Sequence, residues 1–423
     1  MPVECIYFLL LVGSFAICAF LLKLPVSLSM LAASLLTLIV SGNGFNLRHL
    51  VEGSFAYLDT ILVIVSAMIF MRFVQENGTL DALTIVIIKP FKNIPIVLLP
   101  LLMLLAMFPG MITGSSSASV LTAGAIVAPV LIALGIPMHN AGAFIALAGI
   151  LGMIAPPVNI PAMLIGGGVD MPFVGFAVPL LLLTIPLAIL FSWIFGLKHV
   201  KKLSWEEIAS KLKTEGYKKY GVSLFIPILL VVSLLILGQI FPGAFGWGLP
   251  VIFLIGAISG LFVGSRFNAL KAAKQAVNEA LPVIAILAGV GMFIQVMTLT
   301  GVRGFVVVSA LSVTPALLYL TIAITIPLLG AVSAYGSASV LGVPFLLALL
   351  NTDQIITAAA LSLIASLGDF MPPAALSAIF AAQVIGEPKH SKVLKKLIIP
   401  ALVIVLWALA FILFSKQIRA FIS

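Results

Sequence analysis

"FPGMITGSSSASV", residues 108–120, lies between two apolar runs, each long enough to reach into a bilayer. Six small, polar or conformationally loose residues in a row, Gly114 to Ser119, should be unstable in hydrocarbon. Every unpaired backbone N–H or C=O costs several kcal/mol there. Such a stretch is tolerable at membrane depth only where it lines a cavity or is covered by protein.

The surrounding sequence makes membrane depth unavoidable. Of 423 residues, 62% are hydrophobic and 8% charged, and the mean hydropathy is +1.31. A soluble domain of that balance could not cover its own surface. Apolar windows near 20 residues recur from end to end, and they are continuous rather than alternating. This pattern predicts an all-α polytopic membrane protein, not a β-barrel. The opening "MPVECIYFLLLVGSFAICAFLLKLP" carries Glu4, no basic residue before its apolar run and no small-x-small cleavage site, so it reads as a retained first helix. Cys5 and Cys18 fall on that helix about 20 Å apart, too far to bridge.

Comparing the chain with itself reveals a duplication. "SSASV" at 116–120 recurs as "GSASV" at 336–340, with Gly110 and Gly330 each six residues upstream. "GMIAPP" at 152–157 is echoed by "GDFMPP" at 368–373, and Phe70 and Gly78 match Phe293 and Gly301. The three matches keep their order at offsets of 220, 216 and 223.

Each half therefore reads as three spans, a short flanking segment, a re-entrant hairpin, a broken helix and a final span. The first half, 1–197, has spans near 3–22, 25–41 and 56–77, a hairpin at 93–135, a broken helix at 140–168 and a span at 172–197. The second, 220–423, has spans near 220–241, 248–265 and 282–299, a hairpin at 315–352, a broken helix at 354–386 and a span at 397–415. A hairpin returns to its own side, so each half crosses five times, and an odd number inverts the second half. With the basic linker 198–219 in the cytoplasm, 18 of the 22 Lys and Arg residues fall inside. Arg48, Arg303, Lys416 and Arg419 fall outside, and both termini are expected to be extracytoplasmic.

Two inverted Gly/Ser tips beside two helices broken at Pro-Pro describe the binding site of a secondary transporter. Taken singly, a Gly/Ser run reads equally as a helix-packing surface and Pro-Pro as a kink. Each serine hydroxyl is either a ligand or a spacer. Asp369 sits at the second break, where a carboxylate either couples to a cation or proton or makes a structural hydrogen bond; its counterpart is Met153. Asn159 is a neutral donor and acceptor at the first break, opposite Ala375. Arg72 either meets an anion or snorkels to the cytoplasmic surface. His49, His139, His199 and His390 map to loops or helix ends, which argues against a metal centre.

"GSSSASVLTAGAIVAPVLIALGIP" and "GILGMIAPPVNIPAMLIGG", with the inverted duplication, resemble the large (DctM-type) membrane subunit of tripartite ATP-independent periplasmic (TRAP) transporters, within the wider ion transporter superfamily. The resemblance covers nearly the whole chain. It implies sodium-coupled import of a small organic anion by an elevator movement across a bacterial inner membrane, with no cofactor beyond Na+. It also implies a small membrane subunit and an extracytoplasmic substrate-binding protein as partners. Carried onto this chain, one sodium site involves Ser115, Ser116 and Ser119 with Gly152, Pro156 and Asn159. The other involves Tyr335, Gly336 and Ser339 with Gly368, Asp369 and Pro372. Thr113, Ser117, Asn159 and Ser337 would face the substrate. Such subunits commonly carry an acidic residue near the second tip; here the tip reads "AYGSAS", and Asp369 is the candidate to supply that charge.

The competing reading is a stand-alone sodium- or proton-coupled carrier of the same superfamily, told apart by whether neighbouring genes encode the two partners. An intramembrane hydrolase would need a base beside a serine, yet no histidine falls at membrane depth and no HExxH occurs. A channel would lack saturation and ion coupling. No P-loop supports ATP-driven transport.

Overall fold

A computed structural model describes residues 2–200, 215–372 and 375–422. Residues 201–214 of the basic linker and Pro373 of the second break lie outside them. Among the described residues every regular element is a helix, and eight of these helices are long and apolar enough to cross a membrane. The protein is a polytopic membrane protein.

Several spans differ in extent from the sequence reading. The span expected at 282–299 is the C-terminal part of one 31-residue helix, Ala269–Leu299, with Pro282 inside it. At the offset of 223, the matching first-half segment is split into Leu47–Ser54 and Leu58–Glu76. Leu47–Ser54 and Ala269–Leu299 pack through glycines: a Cβ at Gly53 would stand 2.7 Å from the Gly291 carbonyl oxygen. The last span starts earlier than expected, as His390–Leu413, so the "HSKVLKK" segment is helical. The second span of each half is short, at Val26–Val40 and Leu249–Gly260.

Both hairpins are built alike. Proline opens each inbound limb, Pro95–Thr113 and Pro315–Gly330, where its missing N–H costs nothing. Gly114 ends the first limb in the left-handed conformation, φ 65°. A serine then caps a new helix: Ser115 accepts from Ala118 N at 3.3 Å and Ser333 from Gly336 N at 3.1 Å. One turn later each return limb widens into a π-helical turn, Val120–Gly124 and Ala338–Gly342, a feature that recurs at functional sites.

The broken helices follow. Met138–Ile154 gives way to a turn at Pro156 and Pro157, and Asn159 caps Ile160–Gly167. In the second half, Gln354–Ser366 tightens into a 3₁₀ turn, Leu367–Phe370, and helix resumes at Leu376–Ile385.

The buried apolar residues form two cores. One draws on the hairpins, broken helices and final spans of both halves, including Leu102, Phe144, Phe191, Ile326 and Leu361. The other draws on the early spans of both halves, including Leu11, Met30, Phe70, Phe253 and Phe293. Ile112, Val158, Ile160 and Val340, beside the tips and the first break, belong to the second core and join the two.

Candidate functional site

The tips reach the broken helices because glycine permits backbone contact. A Cβ on Gly110 would lie 2.9 Å from the carbonyl carbon of Gly152, and one on Gly330 would lie 2.8 Å from Gly368 Cα. The same crossing of inbound limb over broken helix therefore occurs in each half, at the glycines that the sequence comparison matched. The non-helical segment of the first break adds a backbone hydrogen bond, Val158 N to Met111 O at 3.1 Å.

Three contacts then knit the halves together. Ser116, on the first tip, donates to the carboxylate of Asp369 at the second break. Tyr335, on the second tip, donates its hydroxyl to Gly114 O on the first tip at 2.9 Å. Asn159, at the first break, donates to Ser362 Oγ on the second broken helix at 2.9 Å. The family resemblance groups Asp369 and Tyr335 with the second tip; the side-chain hydrogen bonds of both run to the first tip.

The hydroxyls divide into committed and free. Thr113 donates to Pro109 O at 2.7 Å, Ser119 to Ala106 O, Ser337 to Ala334 O at 3.0 Å and Ser339 to Tyr335 O at 2.9 Å. All four are buried. Ser115 is occupied as a helix cap. Ser117 is half-buried and has no hydrogen-bond partner among the described residues. Asn159 is fully buried and its amide is spent: Nδ2 donates to Ile154 O and Ser362, while Oδ1 caps Ala162 N at 2.9 Å. It aims the N-terminus of Ile160–Gly167 rather than presenting a free donor. Gly152, Gly336 and Gly368 are buried at close approaches, Pro156 is half-buried and Pro372 is exposed.

Sequence matching aligned Ser116 with Gly336 and Ser117 with Ser337, an offset of 220. The capping serines and π turns align instead at 218, so Ser116 corresponds to Ala334, Ser117 to Tyr335 and Ser119 to Ser337. The physical reason is the cap. Ser333, which the motif comparison overlooked, starts the second return helix two residues earlier relative to Gly330. The signal was present, since a serine followed by a helical run is a recognised start.

The oxygens gathered here are a carboxylate, hydroxyls and a main-chain carbonyl, the donor set of hard cations. No group of three His, Cys, Asp or Glu occurs among the described residues. Arg72 lies apart, tied to Glu76 at 2.9 Å, to Glu279 at 3.7 Å and to Gln275 at 2.9 Å. At the far end of the first break, Arg303 donates to Gly168 O and Tyr57 to Leu164 O at 3.3 Å. Two side chains from outside the broken helix thus satisfy carbonyls of its last turn.

Two helical hairpins crossing two broken helices, in a chain with eight helices long and apolar enough to span a membrane, are an arrangement suited to a membrane transporter. The family profile described as the DctM component of the tripartite ATP-independent periplasmic transporter matches residues 12–418. The chain belongs to that family. No curated protein matches the sequence. Among solved structures, the YdaH transporter of Alcanivorax borkumensis is 14% identical at a TM-score of 0.60, over 86% of this chain and 87% of that one. MtrF of Neisseria gonorrhoeae, described with a class of antimetabolite efflux pumps, is 14% identical at 0.61, over 87% and 83%. At that identity the likeness is one of fold. The family makes this chain one component of a TRAP-type secondary transport system, with a transported substrate and further components.

Proposed function

We propose that the protein imports a small organic anion, a carboxylate, dicarboxylate or sugar acid, by sodium-coupled elevator movement in a bacterial inner membrane. Partners would be a small membrane subunit and an extracytoplasmic binding protein. The observation that carries the reading is the convergence of Ser116, Asp369, Tyr335 and Gly114 between the two halves. Sodium would bind among these oxygens and hold the tips closed, drawing on Ser115, Ser119, Gly152, Pro156, Gly336, Ser339, Gly368 and Pro372 as the family implies. The anion would then meet Ser117 and the return-helix N-termini, whose partial positive charge favours it. Thr113, Asn159 and Ser337 would shape this pocket through the backbone they brace.

An elevator needs one body that moves against another, and the two apolar cores supply candidates for both. The inverted arrangement is supported by contacts between residues expected on one side: His199 with Asn140, Arg72 with Glu279, and Arg419 with Asp353.

The test is uptake of a panel of labelled organic anions into proteoliposomes, with and without the two partners and under sodium or proton gradients. Sodium-driven uptake that needs the binding protein is expected. Uptake indifferent to both gradients removes the coupling assignment, and uptake without partners favours the stand-alone carrier.

A further inference from the structure

The final spans of the two halves treat their hairpins differently. In the first half, Gly196 on the helix Ala177–Gly196 lets the inbound limb come close: a Cβ there would stand 2.7 Å from Leu99 Cδ2. In the second half the corresponding limb and His390–Leu413 splay apart. A groove of about 590 Å³ opens between them, walled by Ile324, Pro327 and Leu328 on one side and Leu394, Ile398 and Leu402 on the other. Ile324 and Leu328 are 55% and 59% exposed, whereas Leu104 and Phe108, 220 residues earlier, are half-buried.

Two features describe what would fill it. First, the groove has one polar end: Ser391 and Lys395 stand at its mouth, and Lys389 and Lys396 are exposed beside them. Lys392 is paired with Glu387 at 3.0 Å, while Lys395 has no carboxylate partner among the described residues. Second, from Lys395 to Val405 the lining runs ten residues of helix, about 15 Å at 1.5 Å per residue, or half of a hydrocarbon core near 30 Å. An apolar slot one leaflet deep, with unpaired ammonium groups at the headgroup level, matches a phospholipid in both charge and length.

We propose that one phospholipid with an anionic headgroup resides here, its phosphate on Lys395 and Ser391 and an acyl chain between the hairpin limb and the last span. The inner wall is Leu367, Phe370, Met371 and Pro372, the residues flanking Asp369. The chain would therefore brace the second break from its lipid side, and the broken helix could not shift without moving it.

Purified full-length protein, stripped of lipid in detergent, is titrated with phosphatidylglycerol or phosphatidylcholine of identical chains, and bound lipid is read by native mass spectrometry. One phosphatidylglycerol should be retained in preference to phosphatidylcholine. Lys395→Gln should weaken that preference about fivefold, the equivalent of about 1 kcal/mol for one lysine near a headgroup. Ala401→Trp, which fills the slot, should remove the bound lipid, and Lys416→Gln at the opposite end should change nothing. Equal retention of the two lipids, or wild-type behaviour of both groove variants, would overturn the proposal. The readout requires no transport, so it stands or falls separately from the coupling assignment.

Discussion

Ser116, at the tip of the first hairpin, donates a hydrogen bond to the carboxylate of Asp369, 253 residues further along at the break of the second broken helix. Bonds to ionised groups contribute about 1.5–3 kcal/mol, and this one bridges the two halves at the proposed cation site. Asp369→Asn keeps the shape and removes the charge, so cation dependence should change at least tenfold with little loss of thermal stability. Ser116→Ala should weaken apparent cation affinity about tenfold, and the double variant should cost less than the sum. An unaltered cation response in Asp369→Asn would leave that residue a structural role alone.

The glycine crossings should be intolerant of a methyl group. Gly330→Ala places a Cβ 2.8 Å from Gly368 Cα, with backbone on both sides and nowhere to yield. Overpacking of this kind costs about 1–3 kcal/mol. The melting temperature in detergent should fall accordingly. Gly304→Ala, with open space around its Cβ, should not lower it.

Asn159 and Ser117 should separate stability from transport. Asn159→Ala removes a helix cap, worth about 1 kcal/mol, and strips partners from the buried Ile154 O and Ser362. It should destabilise the protein measurably. Ser117→Ala disturbs no hydrogen bond, so melting should stay the same while the apparent KM for the anion rises. Reversal of that order would exchange the roles given to the two residues.

Tyr57 and Arg303 hold the last turn of Ile160–Gly167 through Leu164 O and Gly168 O. If that helix travels with the hairpins, both bonds must break in each cycle. Tyr57→Phe removes about 1 kcal/mol of neutral hydrogen bonding, which should shift the balance of conformations about fivefold away from this one. Distance measurements between spin labels on Leu62 and Leu181 would report it. An unchanged distribution would place the moving boundary elsewhere.

Glu387 should confer acid sensitivity on the start of the last span. The hydrogen bond from Lys392 holds its carboxyl below the ordinary value of 4.5, burial opposes, and the Lys389 N–H assists. A lowered carboxylate pKa stabilises the folded state fully above the ordinary value, and the benefit disappears as pH falls through the lowered one. Hydrogen exchange over residues 386–394 should therefore accelerate below roughly pH 4, near the glutamate range, and Glu387→Gln should abolish that onset.

The positions of the hairpin tips and helix breaks were legible in the sequence because small residues and prolines are rare where lipid requires apolar helix, whereas the glycine contacts between them appear only in the structure. Charge bias gives an expected sidedness for the loops. Span lengths were less legible: nothing in hydropathy distinguishes Ala269–Leu299, which runs on past the apolar window, from its interrupted counterpart before Tyr57. The register between the tips was hidden for a different reason. "SSASV" and "GSASV" match by letter, but helix geometry follows the capping hydroxyls of Ser115 and Ser333. The pairing of Asp369 with the first tip could not be read at all, because it depends on how two distant crossings stack.

Equilibrium binding of radiolabelled sodium to the purified protein probes the convergence at Asp369 most directly, without reliance on partners or on a known substrate. Saturable binding is predicted, weakened about tenfold by Ser116→Ala and at least as much by Asp369→Asn. Absence of saturable binding, or equal binding by all three proteins, would contradict a cation held between the two hairpins.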